Sequence, residues 1–187
     1  MKVRFAAAVA LIVASLGLLV ACSGSEQYDP PEMVFAGAQD YVKGLEYLKQ
    51  HEVAAALPWL QKAVAQGNPE ANYHIGLLYA RGDHLPQDYL QAKDYFYRAA
   101  MMGHPKALYY LGHMYGEGSG VEQNYTEALK WFWLAASHGD KNAKQFLRII
   151  IAKLTPQEYA EAEKAAKEIW KTIPHNVYLA EDKAAMH

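Results

Sequence analysis

The feature that most constrains this chain is a repeat with a period of thirty-six residues. ANYHIGLLYARGDHLPQDYLQAKDYFYRAAMMG, from Ala71 to Gly103, is restated as ALYYLGHMYGEGSGVEQNYTEALKWFWLAASHG, from Ala107 to Gly139. Ala71 and Ala107, Tyr73 and Tyr109, Gly76 and Gly112, Tyr79 and Tyr115, and Gly82 and Gly118 coincide. So do Tyr89 and Tyr125, Ala92 and Ala128, Phe96 and Phe132, then Ala99-Ala100 and Ala135-Ala136. The matched residues are small or aromatic, the ones that set packing distances. A period in this range marks stacked two-helix units, none of which buries its apolar face alone.

Within each unit the local signals predict two helices. Ala71, Ile75, Leu78 and Tyr79 fall at the three-to-four spacing of one buried face. Asn68-Pro69-Glu70 opens that helix, with Asn68 as N-cap and Pro69 in the first turn, where a missing N–H costs nothing. Asp88 and Asn124, followed three residues on by Gln91 and Glu127, have capping-box spacing and open the second helix. Gly103 and Gly139 supply the positive φ that closes it. Gly76 and Gly112 sit mid-helix, where glycine costs about 0.5–1 kcal/mol relative to alanine. Their shared register predicts close approach of the paired helix, with Ala92 or Ala128 as the small partner. Polar, Gly-containing loops, ARGDHLPQ and GEGSGVEQ, join the halves.

An earlier, degenerate copy carries Tyr41, Gly44, Tyr47, Ala56, Trp59-Leu60, Ala63 and Gly67. Its second helix keeps the offset of thirty-six, but Gly44 lies only thirty-two before Gly76, so its loop is four residues shorter. The pattern A-x-Y-x-[LI]-G-x-x-Y-x-x-G, a loop, then A-x-x-[WY]-F-x-x-A-A-x-x-G resembles the Sel-1-like repeat, a longer-looped relative of the tetratricopeptide repeat. The resemblance covers residues 34–150 and implies an all-α, right-handed α-α superhelix. Three helix pairs, at about 34–67, 68–103 and 104–142, then occupy residues 32–142. Beyond them Ala143 continues the register of Ala71 and Ala107, and Phe146, Leu147, Ile150 and Ile151 extend an apolar face. Thr155-Pro156-Gln157-Glu158 starts a further helix to about Lys171, with Tyr159, Ala162, Ala166, Ile169 and Trp170 on one side. Residues 143–187 are read as a C-terminal helical cap, which solenoids need over their last apolar face, and a mobile tail after Ile173-Pro174.

The N-terminus is separate from the repeats. Lys2 and Arg4 precede an apolar run from Phe5 to Ala21, the make-up of a secretory signal over residues 1–21. Leu19-Val20-Ala21-Cys22 resembles the bacterial lipobox, which implies cleavage before Cys22 and acylation of that cysteine. The plainer alternative is a cleaved signal with an incidental cysteine. Cys22 is the only cysteine, so no disulfide forms within the chain. Two or more acyl chains anchor stably, at about 0.8 kcal/mol per buried methylene. Ser23 after the cysteine implies, by the same resemblance, the outer membrane. Residues 22–31 form a tether that spans at most about 30 Å, and Pro31-Glu32 opens the first helix. Losing Lys2, Arg4 and no acid takes the net charge from −2 to −4, and no basic field argues for nucleic acid.

Eight histidines lack ligand spacing: no i, i+4 pair, no H-E-x-x-H and no cysteine partner, so neither metal nor cofactor is expected. GEGSGV around Ser119 imitates a nucleophile elbow but has no strand before it. No carboxylate pair can be placed across a cleft, so no catalytic residue is assigned. A surface is the better candidate. By analogy with tetratricopeptide geometry, Tyr41, Tyr73 and Tyr109 face the concave groove, with Leu45, Leu77 and His113 one turn along. Such a tyrosine ladder supplies interface hot spots, although the same column also serves packing, and both readings are open here. Tyr97 and Trp133 offer a second, outer aromatic surface. Lys49, Arg81 and Glu117, near the ends of the first helices, set charge preference or form a solvated rim. The expected function is a non-enzymatic adaptor, lipid-anchored in a bacterial envelope and facing the periplasm, that binds a protein segment. Glycan or peptidoglycan recognition is the alternative, and a cell-wall hydrolase the third class.

Overall fold

The computed structural model describes residues 36–174. Among these there are eight helices and no strand: α1 (Ala38–Lys49), α2 (Val53–Ala65), α3 (Pro69–Arg81), α4 (Tyr89–Met101), α5 (Pro105–Glu117), α6 (Tyr125–Ser137), α7 (Ala143–Ile151) and α8 (Pro156–Trp170). The helices pack as α1 with α2, α3 with α4 and α5 with α6, and successive pairs meet through α2 and α3, then α4 and α5. This is the all-α solenoid of three pairs. The connection within the first pair runs Gln50–Glu52, against Gly82–Asp88 and Gly118–Asn124 in the others, which is the four-residue deficit that the spacing predicts. Helix α1 begins at Ala38 behind Gly37, whose φ is 77°. A start at Pro31-Glu32 lies outside the described residues.

One junction recurs three times and sets the pitch of the stack. Gly67, Gly103 and Gly139 take φ of 81°, 82° and 95°. The next N–H groups reach back five residues, Asn68 to the Ala63 carbonyl, His104 to Ala99 and Asp140 to Ala135, at 3.0, 3.1 and 2.9 Å. These are the long bonds of a Schellman closure. The same three residues then turn their side chains forward. Asn68 Oδ1, His104 Nδ1 and Asp140 Oδ1 accept the N–H of Ala71, Ala107 and Ala143 at 2.9, 3.1 and 2.9 Å. Asn68 and His104 thus close one helix and cap the next, while Asp140 reaches over a turn to the first residue of α7, and all three are buried. An N-cap of this kind contributes about 1 kcal/mol.

Close approach at the mid-helix glycines is real, but the small-partner expectation is corrected. A Cβ on Gly76 would lie 2.7 Å from the ring of Phe96, and one on Gly112 would lie 2.8 Å from that of Phe132. Leu60 fills the same position over Gly44 at 2.7 Å. Glycine therefore makes room for a large residue, because a ring laid flat on bare backbone buries more apolar area than a methyl contact. The capping boxes are half made. Asp88 and Asn124 accept the predicted N–H groups, but Glu127 turns to Lys130 instead of back to the cap. Among the described residues, only Thr155 and Glu158 complete both halves.

Helices α7 and α8 each pack on α6 rather than chiefly on each other. Helix α8 does so through Ala162 and Ala166, both fully buried, small enough to bring the backbones close. Ile173 is buried after it, and the Pro174 carbonyl lies against Gly103 and 3.2 Å from His138 Nε2. The expected tail, like the expected N-terminal signal, acylated Cys22 and tether, lies outside the described residues.

Candidate interaction surface

The first helices of the pairs, with α7, carry a continuous run of rings. The tyrosine column was read from sequence, and a second column stands one residue later: His74, Tyr110 and Phe146, again thirty-six apart. The two interlock between repeats. Tyr41 meets His74 at 5.7 Å, Tyr73 meets Tyr110 at 5.9 Å, and Tyr109 meets Phe146 at 5.5 Å, centroid to centroid. From the second helices, Phe96 stacks on Tyr110 at 5.0 Å and Phe132 on Phe146 at 5.2 Å. Aromatic pairs at such distances add about 0.5–1.5 kcal/mol beyond their buried area. The ladder is therefore also the cement between repeats.

Exposure divides the sequence-derived residues. Tyr73 and Leu77 are buried, each 8% exposed, and offer almost no area to a partner. Tyr41, Leu45, Tyr109 and His113 are half-buried and keep an open edge. Tyr97 is 48% exposed, but it does not share a surface with Trp133. Its neighbour is Trp131, edge-to-face at 5.9 Å, whereas Trp133 is covered by Trp170 of α8 at 6.0 Å. The outer aromatic patch is thus split in two, because α8 lies on α6.

Polar groups punctuate the ladder. Because His104 Nδ1 accepts a backbone N–H, its proton sits on Nε2, which faces Glu70 Oε2 at 3.1 Å. Tyr73 stacks on that imidazole at 4.5 Å. Burial works to raise the pKa of Glu70, but the His104 hydrogen bond and the charges of His104, His74 and Lys106 outweigh it, and the carboxyl is held below its usual range. Burial lowers the pKa of His74, with Glu70 pulling the other way. Burial also raises the Tyr41 and Tyr109 hydroxyls, so both stay protonated donors. His113 Nδ1 lies 3.0 Å from Glu117 Oε2 one turn along. Among the described residues no three His, Cys, Asp or Glu side chains gather into a metal-holding group.

The Sel1 repeat pattern matches residues 53–68, 69–104 and 105–140, so each matched unit ends on one of the buried caps Asn68, His104 and Asp140. A solved Sel1 repeat protein from Oxalobacter formigenes is 30% identical, with a TM-score of 0.56 over 60% of this chain and 87% of that one. The chain belongs to the Sel1 repeat family. A second solved structure is c5321, a protective antigen present in uropathogenic Escherichia coli strains that displays an SLR fold. It is 27% identical, with a TM-score of 0.69 over 80% of this chain. The Sel1 chain spans only 32% of that protein's length. No curated protein matches it.

Sequence reasoning did not place His104, His74, Tyr110, Phe146 or Glu70 at this surface; Glu70 is read there only in a helix opening and Phe146 only in an apolar face. The signal for His104 was there: it stands thirty-six after Asn68 and directly before Pro105, in the capping position. His74, Tyr110 and Phe146 were equally periodic but mixed in residue type, which hid the column from an identity match.

Proposed function

We propose that this Sel1 chain is a lipid-anchored, non-enzymatic scaffold of a bacterial envelope that holds a segment of a protein partner against the first-helix face. Sel1-repeat chains typically serve as protein-interaction scaffolds, which supports the reading in kind. The observation that carries it is the unbroken ladder from Tyr41 to Phe146, partly open to solvent at Tyr41, Tyr109 and His113. Packing fixes those rings, so a partner gains contact area with little loss of side-chain freedom, and tyrosine is enriched in hot spots for this reason. Glu70 and the His113–Glu117 pair add fixed polar points along the same face. Anchoring rests on Leu19-Val20-Ala21-Cys22, and the outer membrane on Ser23.

Photo-crosslinking in intact cells tests the surface. A photoreactive residue replacing Tyr109 is expected to give a discrete protein adduct. The same residue replacing Tyr159, 37% exposed on α8, is expected to give none. Adducts from position 159 alone, or the same pattern from both, would refute the assignment of the face.

A further inference from the structure

A cleft of about 410 Å³ opens where α4, α5, α6 and the end of α8 meet. Its volume is in the range of roughly 300–1,000 Å³ typical of small-molecule sites. Neither Tyr41 nor Tyr109 lines it, so it is independent of the surface proposed above. Four features define what it can hold. Leu111 and Ile169 give it an apolar floor. Each side wall carries one acid and one base, Asp94 with Lys93 on α4 and Glu127 with Lys130 on α6, so it has no net charge to offer an ion. Tyr97, 48% exposed, presents a ring to solvent at its edge. Trp131, only 3% exposed, lines it with an indole whose N–H is sealed from solvent and has no acceptor.

The donors decide the ligand's chemistry. An indole nitrogen only donates, and a lysine ammonium carries three donors. Lys130 is itself buried, 4.8 Å from the Trp131 ring, and pairs with Glu127. Buried donors without acceptors are rare in folded proteins. The ligand must therefore bring an acceptor oxygen, be uncharged overall, offer a small apolar group to the floor and lay a flat face on Tyr97.

We propose that this cleft binds an N-acetylated saccharide. The acetamido carbonyl accepts from the Trp131 N–H, and its methyl sits on Leu111 and Ile169. Ring hydroxyls donate to Asp94 or Glu127 and accept from Lys93 or Lys130. The C–H face of the pyranose covers the Tyr97 ring, which turns to admit the carbonyl to the indole.

The test uses the full chain in a zwitterionic detergent, titrated with chitotriose, with its de-acetylated counterpart and with maltotriose. The readout is the indole N–H magnetic resonance of Trp131, identified by its loss in Trp131→Phe. Chitotriose is expected to move that resonance saturably, and the two sugars without an acetamido group are not. Tyr97→Ala is expected to weaken chitotriose by about tenfold or more, the scale of a lost aromatic anchor, with the helical circular dichroism retained. Tyr97→Phe, which keeps the ring, is expected to bind as the unaltered chain does. No saturable shift with chitotriose, or equal binding of maltotriose, overturns the proposal. So does unchanged affinity in Tyr97→Ala. An equal shift from N-acetylalanine methylamide reassigns the cleft to a peptide carbonyl and overturns it as well.

Discussion

Gly112 and Gly116 lie one turn apart on α5, and replacing each by alanine is expected to change stability in opposite directions. At Gly112 the new Cβ would stand 2.8 Å from Cγ and Cδ1 of Phe132. That ring is 1% exposed, stacked on Phe146 at 5.2 Å and tilted against Tyr109 at 5.7 Å, so it has nowhere to retreat. Overpacking of this kind costs about 1–3 kcal/mol. Alanine regains up to about 1 kcal/mol of helix propensity, which leaves a net loss on the order of 1 kcal/mol. At Gly116 the nearest neighbours, Ala128 Cβ and Ile150 Cδ1, are both 3.7 Å away, an ordinary contact, and only the gain of about 0.5–1 kcal/mol remains. For a domain of this size 1 kcal/mol moves Tm by about 2–4 °C. Calorimetry should therefore show Gly112→Ala melting a few degrees below the unaltered chain and Gly116→Ala above it. A rise in both would mean that Phe132 yields freely, and the close-contact account of the glycine column would fail.

Two further outcomes are expected. His74 has a folded pKa below its ordinary 6.5, chiefly through burial; a lowered pKa favours the neutral form, so this stability is complete above about pH 6.5 and lost as pH falls toward the folded value. Glu70, also lowered, adds a loss of the same sign below its ordinary 4.5; Tm measured against pH should show that His74→Gln removes the higher-pH part of the fall and leaves the lower, and an unaltered upper limb would refute the assignment to His74. Cys22→Ala is expected to abolish labelling by a fatty-acid analogue and leave an unprocessed precursor in a bacterial host; a labelled variant, or an unlabelled parent chain, would remove the basis for anchoring.

The fold was legible because the repeat is written in residues with a single structural use. Gly76, Gly112, Gly103 and Gly139 each answer a steric or φ requirement that other residues meet poorly, so their spacing carries the helix pairs directly. What touches them was less legible. Glycine announces close approach but not its partner, and Phe96 and Phe132 were passed over for Ala92 and Ala128. The candidate surface was legible in half. Tyr41, Tyr73 and Tyr109 stood out by identity, whereas His74, Tyr110 and Phe146 share only flatness. Burial was not readable either: Tyr73 is enclosed by His104, Phe96 and Tyr110, two of which come from the next repeat and one from its own second helix. The split of Tyr97 from Trp133 depends on where α8 lands, which no periodic signal encodes because α8 follows the last full repeat.

That interlocking has a consequence for how such a chain can change. In a stacked array, stability is a sum of unit terms and nearest-neighbour terms. Here the neighbour terms run through Tyr41–His74, Tyr73–Tyr110 and Tyr109–Phe146, the same rings that form the candidate surface. A substitution at the half-buried Tyr109, which packs on Phe146, therefore also loosens the joint between the third pair and α7. Tyr41, Tyr109 and His113 are half-buried: each packs on a neighbouring ring and keeps part of its surface in solvent. New specificity is cheapest at His113 and Glu117, where a contact between side chains 33% and 59% exposed contributes little to folding. If the proposed face binds a partner, the rigid rings are its platform and the polar pair beside them is the place where selectivity changes at least cost to the fold.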